Sequence, residues 1–379
     1  MVDPKNFVET LAAAGVGFFT GVPDSLLKSF CAYIADNCGA SHVIAANEGG
    51  AVGLAAGHYL ATGVPALVYM QNSGQGNAVN PLTSLADPDV YSIPMVLLVG
   101  WRGEPGVKDE PQHAKQGRIT ISLLETLGVP SEVLPSDEYA ALEVARRMAE
   151  RARAESRPVA LVVRKGVFSE YRLQGRSPDI ASLPRERAIE EVLGALPEGA
   201  VVVSTTGMIS REVYEARERF GQDHSRDFLT VGSMGHAVMI ALGVARAQPG
   251  RRVFCLDGDG ASIMHMGNMA IAGQSGCGNL THIVFNNAAH DSVGGQPTVG
   301  GAIDLAGIAA SCGYEVVSAA GPSAVVRMCE AASAANRGRP TFAEIRVAKG
   351  ARKDLGRPKE PPQANKSLYM NTLSTTRRA

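Results

Sequence analysis

Read from its amino end, the chain alternates short apolar runs with longer stretches in which apolar positions recur every three to four residues. "VGFF", "HVIAA", "PALVYM", "MVLLVG" and "PVALVVR" read as buried strands, with helical patterns between most of them. Runs that stay apolar instead of alternating with polar residues belong to strands covered on both faces, the pattern of a parallel sheet between two helical layers. The first helix is punctuated at both ends: Asp3 as N-cap, Pro4 at the first helical position and Gly15 just past the last turn. The pattern breaks near residues 170 to 184, where "YRLQGRSPDIASLPRE" is polar and carries two prolines. It restarts with strands at "AVVVS", "RVFCLDGDG", "LTHIVFNN" and "TFAEIRV", separated by helices such as 322–336.

The expected organisation is therefore two α/β domains, 1–170 and 185–350, joined by a linker at 171–184. Each is a mostly parallel sheet with helices on both faces. The halves end alike, "LVVRKG" at 161–166 and "IRVAKG" at 345–350, which hints at a duplicated architecture. The tail, 351–379, is rich in Pro, Lys and Arg without a core pattern, so it is expected to wrap the surface or stay mobile.

Composition narrows the function classes. With 379 residues, 45% of them hydrophobic, the chain can build two buried cores. Lys+Arg of 36 against Asp+Glu of 37 leaves a net charge of -1, which gives no footprint for nucleic acid. The six cysteines show no metal-ligand spacing and mostly lie in apolar segments, as buried thiols of a reducing compartment would. "MVDPKNFVETL" lacks the apolar core of a signal peptide, and no apolar run is long enough to span a membrane, so the expected location is the cytoplasm.

The strongest chemical signal is "CLDGDGASIMHMGNMAIAGQSGCGNLTHIVFNN". One apolar strand ends at Asp257 beside a glycine-flanked Asp259, and a second ends in Asn286-Asn287. Parallel strands end on the same edge of a sheet, where ligands bind in such folds, so Asp259 and Asn287 can converge. A carboxylate and an amide oxygen are hard ligands suited to Mg²⁺, which completes its shell with phosphate and water. The helix start at Gly260, Ala261 and Ser262 offers free N–H groups to phosphate oxygens, and Gly258 beside it is expected to border the cofactor. Together these residues describe a metal-bridged diphosphate.

With 25 residues between Gly260 and Asn286, the stretch resembles the GDG-x(24 to 27)-NN motif of thiamine-diphosphate enzymes. That family pairs a pyrimidine-binding domain carrying a glutamate with a diphosphate-binding domain carrying the metal motif, and this chain resembles both in that order. The resemblance implies two thiamine-diphosphate-binding-fold domains, thiamine diphosphate and Mg²⁺ as cofactors, and Asp259, Asn287 and the Ala289 carbonyl as metal ligands. Glu48, in "ANEGGAVGLAAGHYLATG", then shares a proton with the aminopyrimidine and promotes loss of the poorly acidic thiazolium proton. Burial raises the pKa of such an acid and a helix start lowers it; the sequence leaves the balance open. In "TVGSMGHA" the Gly232 carbonyl accepts from the 4′-amino group and Met234 props the cofactor. Thr206, in "STTG" at the end of another strand, is expected to reach the diphosphate.

Within the family the chain is similar to the phosphonopyruvate decarboxylases, through "TGVPDSLLK", "WRGEPGVKDEPQH", "NNAAHDSVGGQPT" and "LGRPKEPPQANKSLYM"; sulfopyruvate decarboxylases share the plan. This implies a small 2-oxo acid as substrate, and a homo-oligomer with active sites between subunits, with neither nucleic acid nor membrane as partner. Arg102 and Lys108, on the loop after "MVLLVG", are expected to face a phosphonate, with Asp109 and Glu110 able to neutralise them instead. Ser25 and Asp24 fall where relatives place polar groups near the substrate carboxylate, His113 where they place a histidine, and His290 is a further candidate. Ala288 stands where relatives commonly carry glycine, so a left-handed backbone there would weaken the metal site. A dinucleotide-dependent dehydrogenase is disfavoured because "GVGFFTG" is not G-x-G-x-x-G. A non-catalytic subunit of a two-chain decarboxylase is disfavoured because Glu48 and the metal motif share one chain.

Overall fold

The structure, a computed structural model, describes residues 1–175, 179–335 and 338–375. Two compact units divide the chain, Met1–Ser177 with Ser292–Gln296, and Pro178–Asp291 with Pro297–Ala379. Part of the expected linker, 176–178, lies outside the described residues, as do Asn336 at the end of the helix expected over 322–336 and the last four residues of the tail.

The first unit holds a six-stranded sheet built from β1 (Phe18–Gly21), β2 (His42–Ile44), β3 (Ala66–Gln71), β4 (Met95–Gly100), β5 (Ser131–Val133) and β6 (Pro158–Val163). The order is β2-β1-β3-β4-β6-β5, and every pairing is parallel. Successive side chains of a strand face opposite ways, so β3 sends Leu67 and Tyr69 into one core and Ala66, Val68 and Met70 into another. The first core is closed by α1 (Pro4–Ala13), α2 (Lys28–Asn37) and α6 (Glu138–Glu155); the second by α3 (Glu48–Thr62), α4 (Gln75–Pro81) and α5 (Pro111–Thr126). Asp3 caps α1 by accepting from the Lys5 N–H, and Gly15 beyond its end has φ of +88°, as the punctuation predicts.

The second unit repeats the plan with β7 (Val201–Ser204), β8 (Asp227–Leu229), β9 (Val253–Gly258), β10 (Leu280–Asn286), β11 (Glu315–Val316) and β12 (Thr341–Arg346). Its order, β11-β12-β10-β9-β7-β8, is that of the first sheet when each unit's strands are counted from its own first strand. The duplication hinted at by the two similar strand ends is thus a duplication of topology. Here α7 (Arg185–Ala195), α8 (Met208–Arg219) and α13 (Pro322–Ala335) cover one face; α9 (Ala237–Ala247), α11 (Gly267–Gly273) and α12 (Leu305–Cys312) cover the other, and the short α10 (Asp259–Met264) follows β9.

Two features differ from the reading of the sequence. The edge strands β5, β8 and β11 were not expected, because two or three residues, half-buried in β5 and β11 and opened by the charged Asp227 in β8, give no apolar run. The tail is not patternless: it forms α14 (Pro362–Thr375), which buries Tyr369 in the second core. Its Asn365 accepts from the Leu229 N–H and donates to the Asp227 carbonyl, so an amide side chain occupies the open edge of β8.

Candidate active site

In the first unit, the turns that follow β1 to β4 lie on one edge of the sheet, and the expected residues occupy three of them. Glu48 opens α3, behind Asn47, whose side chain caps the helix by accepting from the Gly50 N–H at 2.8 Å. The carboxylate is 4% exposed and takes a 2.7 Å hydrogen bond from Asn77 Nδ2. Gly74, in the turn after β3, leaves it room: a Cβ there would collide with the carboxyl group. Burial raises the Glu48 pKa and the Asn77 donor only partly offsets it, so desolvation wins the balance that the sequence left open.

Asp24, Ser25, Arg102 and His113 form a second group. Asp24 is fully buried, accepts from the Leu26 N–H at 3.0 Å, and has no partner for Oδ1 among the described residues. Burial, opposed by backbone donors and Arg102, lifts its pKa to about 6. Arg102 donates through Nη1 to Ser25 Oγ at 2.9 Å, and through Nε and Nη2 to Asp109 at 2.8 and 2.5 Å. Asn72 fixes its backbone from both sides. His113, buried beneath this loop, is held neutral with a pKa of about 4 by desolvation and by Arg102. Lys108 is exposed, and among the described residues no hydrogen bond or ion pair groups it with Arg102. The expected pair of free bases is therefore one clamped arginine and one surface lysine. Asp109 does what the alternative reading allowed.

The second unit gathers the residues expected to hold a metal. Asp259, first residue of α10, is 3% exposed and accepts from Thr298 Oγ1 and from the backbone of Asn287 and Gly260. Burial still lifts its pKa to about 6. Asn287 is 4% exposed; its Oδ1 accepts from the Ala289 N–H at 3.0 Å and its Nδ2 donates to Asp291. Asn286 is structural, tying Gly300, Glu344 and the Ala288 N–H together. A buried carboxylate beside a buried amide oxygen is a donor set that fits a hard divalent cation. Ser262 turns its hydroxyl to Asp257 at 3.1 Å, leaving its backbone for a phosphate. His290 lies against Gly260, where an added Cβ would sit 3.3 Å from its ring, and is kept neutral by burial. It thus borders, within its own unit, the turn expected to receive phosphate. Gly232 and Met234 sit half-buried in a turn containing left-handed Ser233 and Gly235, and Thr206 precedes Gly207, also left-handed.

Ala288 has φ of +54°, the conformation the sequence flagged as costly. For a residue with a Cβ this strain is about 1 to 2 kcal/mol, part of which glycine returns through unfolded-chain entropy. Ala288→Gly is expected to lower the Mg²⁺ concentration needed for half-maximal thermal stabilisation roughly two- to fivefold without loss of stability. A raised requirement would mean that the turn does not bear on the cation.

Asn72, Asn77 and Thr298 were not singled out from the sequence. The first two stand in "QNSGQGNAVNP", whose density of amides straight after an apolar strand was the available signal. Thr298 follows a glycine-rich loop with no pattern of its own.

These strand-end clusters define a class. Residues 5–124 match the family described as thiamine pyrophosphate enzyme, N-terminal TPP binding domain, and residues 205–345 match its C-terminal TPP binding domain. The chain belongs to the thiamine pyrophosphate enzymes, in the family of the phosphonopyruvate decarboxylases. It is 37% identical to the phosphonopyruvate decarboxylase of Streptomyces viridochromogenes and 36% identical to that of Streptomyces hygroscopicus, each alignment covering 96% of this chain and 92% of the relative. The sulfopyruvate decarboxylase subunit beta of Methanothermobacter thermautotrophicus is 39% identical over 36% of this chain and 69% of its own length.

Proposed function

We propose that this protein is a thiamine-diphosphate- and Mg²⁺-dependent decarboxylase that converts 3-phosphonopyruvate to phosphonoacetaldehyde and CO₂ in phosphonate metabolism. The observation that carries this reading is the nearly end-to-end similarity to two phosphonopyruvate decarboxylases. The pyrimidine-binding domain is 1–170 and the diphosphate-binding domain 185–350. The working form is a cytoplasmic homo-oligomer whose active sites draw on more than one subunit; full activity in a monomer would overturn that part.

When bound, thiamine diphosphate supplies the electron sink for the pair left behind as CO₂ departs. Asp259, Asn287 and the Ala289 carbonyl would hold the cation, and the N–H groups at Gly260 to Ser262 would receive phosphate oxygens. Glu48 keeps an exchangeable proton in a dry setting for transfer to and from the aminopyrimidine ring. Neutral His113 and Asp24, whose pKa burial lifts to about 6, handle protons at the substrate, including the one that completes the aldehyde. Arg102 has five N–H groups and spends three on Asp109 and Ser25, which leaves two for an anionic head. The Asp109 clamp holds the guanidinium in place for that contact.

A charge-assisted hydrogen bond is worth roughly 1.5 to 3 kcal/mol, so Arg102→Ala is expected to lower kcat/KM for phosphonopyruvate on the order of 10- to 100-fold. Pyruvate, which has no anionic head, should lose much less. Steady-state rates for phosphonopyruvate, sulfopyruvate and pyruvate test this. If sulfopyruvate is the better substrate of the parent protein, the sulfonate reading replaces this one.

A further inference from the structure

We propose that Asp291, held in place by Arg185, sets the orientation of the Asn287 amide and so builds the seat for the divalent cation; this rests on the reading of Asn287 as a metal ligand. Three donors converge on one oxygen, Asp291 Oδ2: Asn287 Nδ2 at 2.6 Å, Arg185 Nη1 at 2.9 Å and the Gly350 N–H at 2.9 Å. An amide side chain can face a neighbour with either end, and the two choices are a half-turn apart. A carboxylate only accepts, so it admits the NH₂ end alone. That choice turns Oδ1 away from Asp291, where it spends one lone pair on the Ala289 N–H and keeps the second for a cation.

Asp291 is itself fixed by residues far away in the sequence. Arg185, at the start of α7, is 5% exposed and forks onto Glu212 of α8, through Nε at 2.8 Å and Nη2 at 3.0 Å, while its third nitrogen reaches Asp291. Glu212 is 1% exposed, so this arginine has no solvent in which to swing free. Gly350 closes the ring from beyond β12, in the left-handed conformation at φ of +91°. This gives a role to the glycine of "IRVAKG", which the cofactor motif leaves without one. The neighbouring strained Ala288 adds to the case, because a turn carrying a left-handed alanine needs an outside clamp to keep its shape. Arg185 and Asp291 are positioning residues in this scheme, and neither touches substrate.

The test is a Mg²⁺ titration of the full-length protein at fixed, saturating thiamine diphosphate after chelator treatment, reading the thermal midpoint and not activity. A Mg²⁺-dependent rise in the parent tests the metal reading by itself, and no rise would sink both. Given that rise, Asp291→Asn, whose side chain can meet Asn287 with either end, should raise the half-maximal Mg²⁺ concentration tenfold or more. Glu212→Gln should lower the midpoint of the metal-free protein while moving the Mg²⁺ requirement less than twofold, since it leaves Asn287's partner in place. A requirement within twofold of the parent in Asp291→Asn, or equal shifts in both variants, would overturn the proposal. Should Asp291→Asn fail to fold, Arg185→Lys serves: a lysine cannot bridge both acids, so a rise of threefold or more is expected, and an unchanged requirement rejects the clamp.

Discussion

Glu48→Gln is expected to leave binding of thiamine diphosphate and Mg²⁺ intact while turnover falls at least about a hundredfold, the lower end of what a positioned acid–base group contributes. Glutamine has the same shape, so the space beside Gly74 and a hydrogen bond to Asn77 survive, and α3 keeps its Asn47 cap. What disappears is the exchangeable proton. Burial holds the native carboxyl above its ordinary pKa, bringing its proton closer to availability at neutral pH. Thermal stabilisation by the cofactors, read beside kcat, separates the two effects, and near-normal kcat in the variant would remove Glu48 from the chemistry.

Asp259→Ala is expected to abolish Mg²⁺-dependent stabilisation, because it deletes the one charged ligand from a site that must also offset a diphosphate's negative charge. The isosteric Asp259→Asn adds a pH signature in the metal-free protein. The folded pKa of about 6 lies above the ordinary 3.8, so this group's favourable contribution is fully present below the unfolded value and is lost as pH rises through about 6. Between pH 5 and pH 7.5 the parent should therefore lose more stability than Asp259→Asn. Parallel pH profiles, or an unchanged Mg²⁺ requirement in Asp259→Ala, would count against the assignment.

Much of this was legible in the sequence because the relevant signals are local. An all-apolar run announces a central strand such as β3 or β10, and a glycine-flanked acid at its end announces a ligand turn. Edge strands escaped notice because a two-residue strand like β11 has no period, and it exists only because β12 lies alongside to pair with it. The pairing of Arg102 with Asp109 was visible as an alternative, but whether an acid seven residues away neutralises a base depends on how the loop folds back. The Gly103 N–H on the same carboxylate is what decides it. The contacts of Asp291 with Arg185 and Gly350 span 106 and 59 residues, and no spacing rule reaches that far.

The identical strand order of the two sheets means that each candidate group can be assigned to a numbered turn on a common scaffold. The turn after the first strand holds Asp24 and Ser25 in one copy and Thr206 in the other; after the second, Glu48 and Met234; after the fourth, Arg102 and Asn287. The third-strand turn carries Asp259 in the later copy, whereas in the earlier copy it supplies Gly74 as room for Glu48. On the proposed reading, labour is divided turn by turn between two units of one topology, proton handling in one and cation binding in the other, and among the described residues each sheet is complete in itself. Because one chain carries both units, they are made in equal number at the moment of synthesis.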